Sequence, residues 1–150
     1  MITAIAPISL DIESSGLDAT KHSILTLGIV NYTSGEYGYW ELRYDRNEDL
    51  VVQPEAMRVN RLSIASLTEE NRTKCSELDK ALAAYVANLK VENQYPLPMG
   101  MNVGAFDMSF VKKQLPKFAE ALGYRSIDLN ALIASKALRE ELDFLAHKRE

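Results

Sequence analysis

Cysteine is almost missing from this chain: Cys75 stands alone among 150 residues. That excludes an internal disulfide and a cysteine-based zinc site, and it fits a reducing, cytoplasmic compartment. Histidine is nearly as scarce, with His22 and His147 only. No stretch reaches the roughly 18 to 20 consecutive apolar residues of a membrane span. The apolar run from Met1 to Leu10 lacks a cationic leader region and is broken at once by Asp11 and Glu13, so no signal peptide is expected. Positive charge is not in excess either. Seventeen Lys and Arg against 21 Asp and Glu leave a formal net charge of -4, which argues against non-specific binding to long duplexes through a broad basic face. It does not argue against an enzyme whose metal ions reverse the sign of an acidic cleft. There is no internal repeat, linker or low-complexity segment, and no glycine-rich loop of the kind that cradles phosphates. What is present, 47% hydrophobic and 25% charged residues, fits a single domain over 1–150 with a substantial core.

The informative stretch is Ile8-Ser9-Leu10-Asp11-Ile12-Glu13-Ser14-Ser15-Gly16-Leu17. It puts two carboxylates inside an apolar, strand-like run and follows them with a turn. Alternate side chains of a strand share a face, so Asp11 and Glu13 point one way while Leu10 and Ile12 point the other, into a core. Two like charges side by side repel, and a cation between them removes the penalty; hard oxygen donors of this kind suit Mg²⁺ or Mn²⁺. A solvated strand end before a Ser-Ser-Gly turn explains the same residues equally well, so a second acidic site is required.

In chain order, strands come first. Ile2 to Glu13, Ile24 to Tyr32 and Tyr37 to Tyr44 read as three strands, with Thr33-Ser34-Gly35 as a hairpin turn, and short connections imply an antiparallel meander. Pro7 suits a place before the first strand better than one inside it. After Asp45 the periodicity lengthens. Ser63 to Glu70 is expected as a short helix capped by Ser63 or Asn60, and Cys75 to Leu89 as a longer one with Leu78, Leu82, Tyr85, Val86 and Leu89 at helical spacing. Tyr95 to Met101 reads as a buried strand. Ala105 to Leu122 reads as a helical region split by Pro116, with Phe106, Phe110, Leu115, Phe118 and Leu122 as its apolar stripe. A fifth strand is expected over Arg125 to Leu129, then a helix from Asn130 onward carrying Leu132, Leu138, Leu142 and Leu145. The fold class is therefore α/β, a mixed five-stranded sheet flanked by helices. The strand bearing Asp11 and Glu13 is expected at its centre, with the site beyond the carboxyl ends of the strands.

The second acidic site is Gly100-Met101-Asn102-Val103-Gly104-Ala105-Phe106-Asp107. It links a predicted strand to a predicted helix, so Asp107 falls in the first helical turn beside free backbone N–H groups and the positive end of the helix dipole. Taken alone, Asp107 is adequately explained as a helix-start residue. Together, the two segments bring three carboxylates to one sheet edge.

These two segments, Asp11-Ile12-Glu13-Ser14-Ser15-Gly16-Leu17 and Asn102-Val103-Gly104-Ala105-Phe106-Asp107, resemble the first and second motifs of the DEDD superfamily of 3′-to-5′ exonucleases, which has a ribonuclease-H-like fold. The resemblance covers nearly the whole chain. It implies two-metal hydrolysis of a phosphodiester at a free 3′ end of single-stranded RNA or DNA, or of short oligonucleotides, releasing nucleoside 5′-monophosphates. Asp11, Glu13 and Asp107 match the metal ligands, for two Mg²⁺ or Mn²⁺ ions roughly 3.5 to 4 Å apart. Leu17 matches a wedge against the terminal base, with Gly16 beside it, and Asn102 and Phe106 match positions near the 3′ nucleotide.

In the family a His or Tyr base in a third motif is followed five residues later by a fourth metal-binding Asp. His147 is the candidate base, and the fifth residue after it would lie past Glu150. A truncated product, Glu150 as substitute ligand, a third motif beyond the end and a degenerate relative each account for this departure. On the first of these, the domain lacks the end of its C-terminal helix; with three carboxylates in place of four, activity of the 150-residue form is expected to be low or absent. His22, after the first motif, reads as a surface residue; Asp128 reads as structural, or as orienting a ligand. Lys112, Lys113, Lys117 and Arg125 are candidate phosphate contacts, or simply a solvated face. Three functions compete: an exonuclease, a non-catalytic nucleic-acid-binding or interaction protein on the same fold, and a metal-dependent nucleotide phosphohydrolase. A homodimer or a protein partner is compatible with all three.

Overall fold

The computed structural model describes residues 4–43, 50–63, 65–68 and 72–147. Strands β1 (Ala4–Ser14), β2 (Ile24–Asn31) and β3 (Tyr37–Arg43) come first, and helix α1 (Pro54–Asn60) and a 3₁₀ turn (Ala65–Thr68) follow. Then come β4 (Thr73–Lys74), α2 (Cys75–Val91), β5 (Gln94–Gly100), α3 (Asp107–Gln114), α4 (Pro116–Leu122), β6 (Ile127–Asp128) and α5 (Leu129–His147). The sheet order is β4-β3-β2-β1-β5-β6. β1 to β3 form the expected antiparallel meander, while β1–β5, β5–β6 and β3–β4 pair in parallel.

Among the described residues the sheet has six strands, not five, because Thr73–Lys74 adds a two-residue edge strand too short for any period to reveal it. α1 is likewise unforeseen. The helix expected over Ser63 to Glu70 is, within the described residues, only the 3₁₀ turn, whose Ser66 N–H donates to Ser63 Oγ at 3.1 Å. Asn60 ends α1, and its Nδ2–H donates back to Ser14 O at 2.8 Å. Pro7 lies inside β1, yet its missing N–H is harmless: pairing with β2 begins at Ile8, and the Pro7 carbonyl still accepts from Tyr32 N at 3.0 Å.

β1 is the central long strand, and its alternation is the one the sequence implies. Ile8, Leu10 and Ile12 are buried, whereas Asp11 is exposed and Glu13 half-buried. Leu27, Leu42, Leu78, Leu82, Val86, Leu89, Phe110, Phe118 and Leu122 close the core on that side, so α2, α3 and α4 cover one face of the sheet. The opposite face of β1 to β3 carries Asp11, Val30, Tyr37 and Tyr39, all exposed. Pro116 splits α3 from α4 as expected. The buried Asp79 carboxylate of α2 accepts Phe118 N–H at 2.9 Å, supplying α4 with a partner for an amide that no earlier helical carbonyl meets. In α5, residues Ala131 to Glu141 are all exposed, Leu132 and Leu138 among them. No helix among the described residues is long and apolar enough to cross a membrane.

Candidate active site

The first motif is shaped by an irregularity in the sheet. Glu13 pairs with Thr26 and Ser14 with Ile24, so Leu25 is an extra residue on β2 and the ladder breaks between Glu13 and Ser14. Such a bulge ends regular pairing and turns the strand. The Ser14–Leu17 turn that follows is closed by Ser15 N–H donating to Ser23 O at 2.8 Å and Ser14 Oγ–H to Gly16 O at 2.7 Å. Gly16 is buried against His22: a Cβ at Gly16 would come within 2.3 Å of the imidazole. His22 is 4% exposed, not a surface residue, because its ring fills the space that the glycine leaves open.

The second motif reaches the first through a single carboxylate. β5 pairs with β1 only as far as Ser9, which leaves the Ile12 N–H without a strand partner on that side. Asp107, first residue of α3 and 4% exposed, supplies the acceptor, with Oδ1 at 3.1 Å from Ile12 N. The peptide group between Asp11 and Glu13 is thus tied to the third carboxylate. Two local features allow it. Gly100 lets β5 run close to β1, since a Cβ there would lie 2.9 Å from Leu10 O. Asn102, at φ 55°, starts the turn whose carbonyl accepts from Ala105 and Phe106 N–H.

The charges of the three groups interact. Burial raises the Asp107 pKa to about 6, with the Asp11 and Glu13 charges adding to the rise and the Ile12 N–H opposing it. Burial, then the Asp11 charge, raises Glu13 as well. Crowded carboxylates with upward-shifted pKa values are the electrostatic signature of a cation-binding or acid–base site. Hard oxygen donors of this type suit Mg²⁺ or Mn²⁺. Among the described residues, however, no group of three or more His, Cys, Asp or Glu side chains is gathered into a formed metal cage. The fit to a divalent ion rests on donor chemistry and charge crowding.

Beside Glu13 opens a pocket of about 310 Å³. The first motif contributes Ile12, Glu13, Ser14 and Leu17, the second contributes Phe106, and Gln53, Glu55, Ala56, Val59 and Asn60 form the remaining wall. Leu17 is 76% exposed, so it is a lip of the pocket and not core. Phe106 is steadied by Phe110, ring centroids 5.1 Å apart. Sequence reasoning missed the Gln53–Asn60 wall entirely. Its available signal was Pro54, a favoured first helical residue.

The other candidates fall elsewhere. Asn102 is exposed and does not line this pocket; its Oδ1 accepts from Asn130 Nδ2 at 2.9 Å. Asp128 is structural, its Oδ1 accepting from Asn130 N at 2.9 Å and Asn102 N at 3.3 Å. Lys113 donates to Thr20 O, and Lys112 and Arg125 line a separate small cavity. His147 closes α5, but its side chain and Glu150 lie outside the described residues.

A mixed sheet in this order, with paired acidic residues on its central strand and a third at the start of the helix after β5, defines a ribonuclease-H-like domain. E. coli exonuclease I bound to a dT13 oligonucleotide superposes on 91% of this chain and 30% of its own, with a TM-score of 0.70 and 15% identity. A zinc-bound form of the E. coli exonuclease I complex with single-stranded DNA superposes on 93% of this chain and 31% of its own, at TM-score 0.65 and 16% identity. In sequence, the chain is 27% identical over 128 residues to an oligoribonuclease of Corynebacterium glutamicum, covering 82% of this chain and 58% of that protein. It is also 27% identical over 128 residues to a probable oligoribonuclease of Dictyostelium discoideum, covering 82% of this chain and 67% of that protein. The chain thus spans under two thirds of the length of the Corynebacterium relative. No family model matches it. The fold is that of the exonuclease I structures, and the sequence is similar to the oligoribonucleases.

Proposed function

We propose that this chain is a divalent-metal-dependent 3′-to-5′ exonuclease acting on single-stranded nucleic acid or short oligonucleotides and releasing nucleoside 5′-monophosphates. The observation that carries this reading is the junction of charge and shape: Glu13 belongs both to the electrostatically coupled trio Asp11, Glu13 and Asp107 and to the pocket edged by Leu17 and Phe106. A base seated between Leu17 and Phe106 would leave its phosphate beside Glu13, the member of the trio that lines the pocket. Asp11, Glu13 and Asp107 would hold the metal ions, which when bound activate water and stabilise the charge of an in-line displacement. Leu17 and Phe106 grip the terminal base, and the apolar walls exclude water from it. The Asp107–Ile12 hydrogen bond holds the second motif against the first, which would let the three carboxylates share the metal ions they hold.

Support also comes from the relatives, oligoribonucleases by sequence and a single-strand-bound exonuclease by fold. A 3′-labelled and a 5′-labelled oligonucleotide incubated with the protein in Mn²⁺ test the proposal. Mononucleotide release from the 3′ end is expected. Binding without cleavage would leave a nucleic-acid-binding protein on this fold, and neither binding nor cleavage would refute both.

A further inference from the structure

The turn that presents Leu17 is held from outside, by the segment that opens α1 and by the last residue of that helix. Ser15 Oγ–H donates to Val51 O at 2.6 Å, Gln53 N–H to Ser15 O at 2.7 Å, and Asn60 Nδ2–H to Ser14 O at 2.8 Å. The bond nearest the pocket is made by a side chain: Leu17 N–H donates to Gln53 Oε1 at 3.0 Å. Gln53 therefore grips the turn twice, by its backbone at Ser15 and by its amide at Leu17, and it lines the pocket that Leu17 edges. α1 is itself anchored, because Met57, 8% exposed, packs on the fully buried Leu25. The bulge residue of β2 thus holds the helix, and the helix start holds the turn. The Leu17 side chain has little packing of its own to fix it, so its position depends on where its backbone is held.

We infer that Gln53 is a positioning residue for substrate: by accepting the Leu17 N–H it sets where Leu17 stands at the pocket mouth, and so how tightly the terminal base is held. The inference rests on the pocket being the base site proposed above. Gln53 acts here through Leu17 and not by touching the base, and these two modes separate in a double-mutant cycle. Gln53→Ala is expected to raise KM for a short single-stranded oligonucleotide roughly 3- to 10-fold, the value of one lost neutral hydrogen bond. kcat, Mn²⁺ affinity and melting temperature should stay near wild type. In a Leu17→Ala background the same Gln53→Ala change should have almost no further effect on KM. Hydrogen exchange at the Leu17 amide should speed up in Gln53→Ala, a readout that needs neither substrate nor metal. Unchanged exchange, or KM losses that simply multiply in the double variant, overturns the positioning role. Wild-type protein that neither binds nor cleaves the oligonucleotide overturns the base-site reading, with the exchange experiment still deciding whether Gln53 holds Leu17.

Discussion

Asp11 and Asp107 are the same side chain in opposite surroundings. Asp11 stands exposed on the open face of β1, while Asp107 is 4% exposed at the head of α3. The exposed carboxylate comes with the strand, since alternation alone puts it on that face. The buried one is costly, because a desolvated charge beside two others of its sign favours its neutral form, and its pKa rises to about 6. The comparison teaches that the two motifs divide the work. One offers charge at the surface; the other supplies a carboxylate held by the interior, against the interest of stability. A bound cation would offset that cost.

The largest expected effect tests whether the trio is one site. Asp11→Asn, Glu13→Gln and Asp107→Asn should each weaken Mn²⁺ binding by more than about 100-fold, beyond what loss of a supporting contact produces, and abolish hydrolysis. Calorimetric titration checks the first and the end-labelled assay the second. Unaltered Mn²⁺ affinity in all three would dissolve the comparison.

Stability should then set the two aspartates apart. A raised folded pKa means that the native state binds the proton more tightly than the unfolded chain. Stability from Asp107 is therefore full below its unfolded value of 3.8 and is lost as pH rises to about 6. In chelator at pH 7, Asp107→Asn should stabilise the protein by up to about 3 kcal/mol, since Asn keeps an oxygen for the Ile12 N–H. The gain should vanish near pH 4. Asp11→Asn, at an exposed position, should change stability by less than about 0.5 kcal/mol at either pH. Denaturant titrations at both pH values measure the contrast, and equal effects for the two variants would contradict it.

The smallest effect concerns shape. Leu17→Ala should weaken oligonucleotide binding by about 1 to 3 kcal/mol, the range of base-stacking contacts, with Mn²⁺ affinity and melting temperature intact. A lowered melting temperature with unchanged binding per folded molecule would make Leu17 a core residue despite its exposure.

Those residues were legible in the sequence because each declares itself locally. Asp11 and Glu13 interrupt a two-residue alternation, and Asp107 follows a turn and opens a helical stripe. α1 left no such trace. Its seven residues bury only Met57, and that burial depends on Leu25, a residue far away in sequence that is free to face the helix because the ladder shifts there. His22 was misread for a related reason: nothing near it in sequence says that a glycine six residues earlier leaves room for its ring. α5 was legible as a helix from its leucine spacing, while the exposure of Leu132 and Leu138 depends on what faces them and leaves no local trace.

The extra residue in β2 also governs how the sheet can assemble. Strands of strict alternation slide by two residues without changing which side chains face inward, so their pattern alone does not select one pairing. Leu25 removes that freedom. It is fully buried only when the ladder breaks between Glu13 and Ser14, where Met57 can cover it. In a hairpin slipped by two residues it would lose that cover, at a cost of about 2 kcal/mol for a leucine left in water. A mispaired β1–β2 hairpin is thus penalised during folding by a residue that touches no substrate, and the correct hairpin is the one that seats α1, with Gln53 and Asn60, against the Ser14–Leu17 turn.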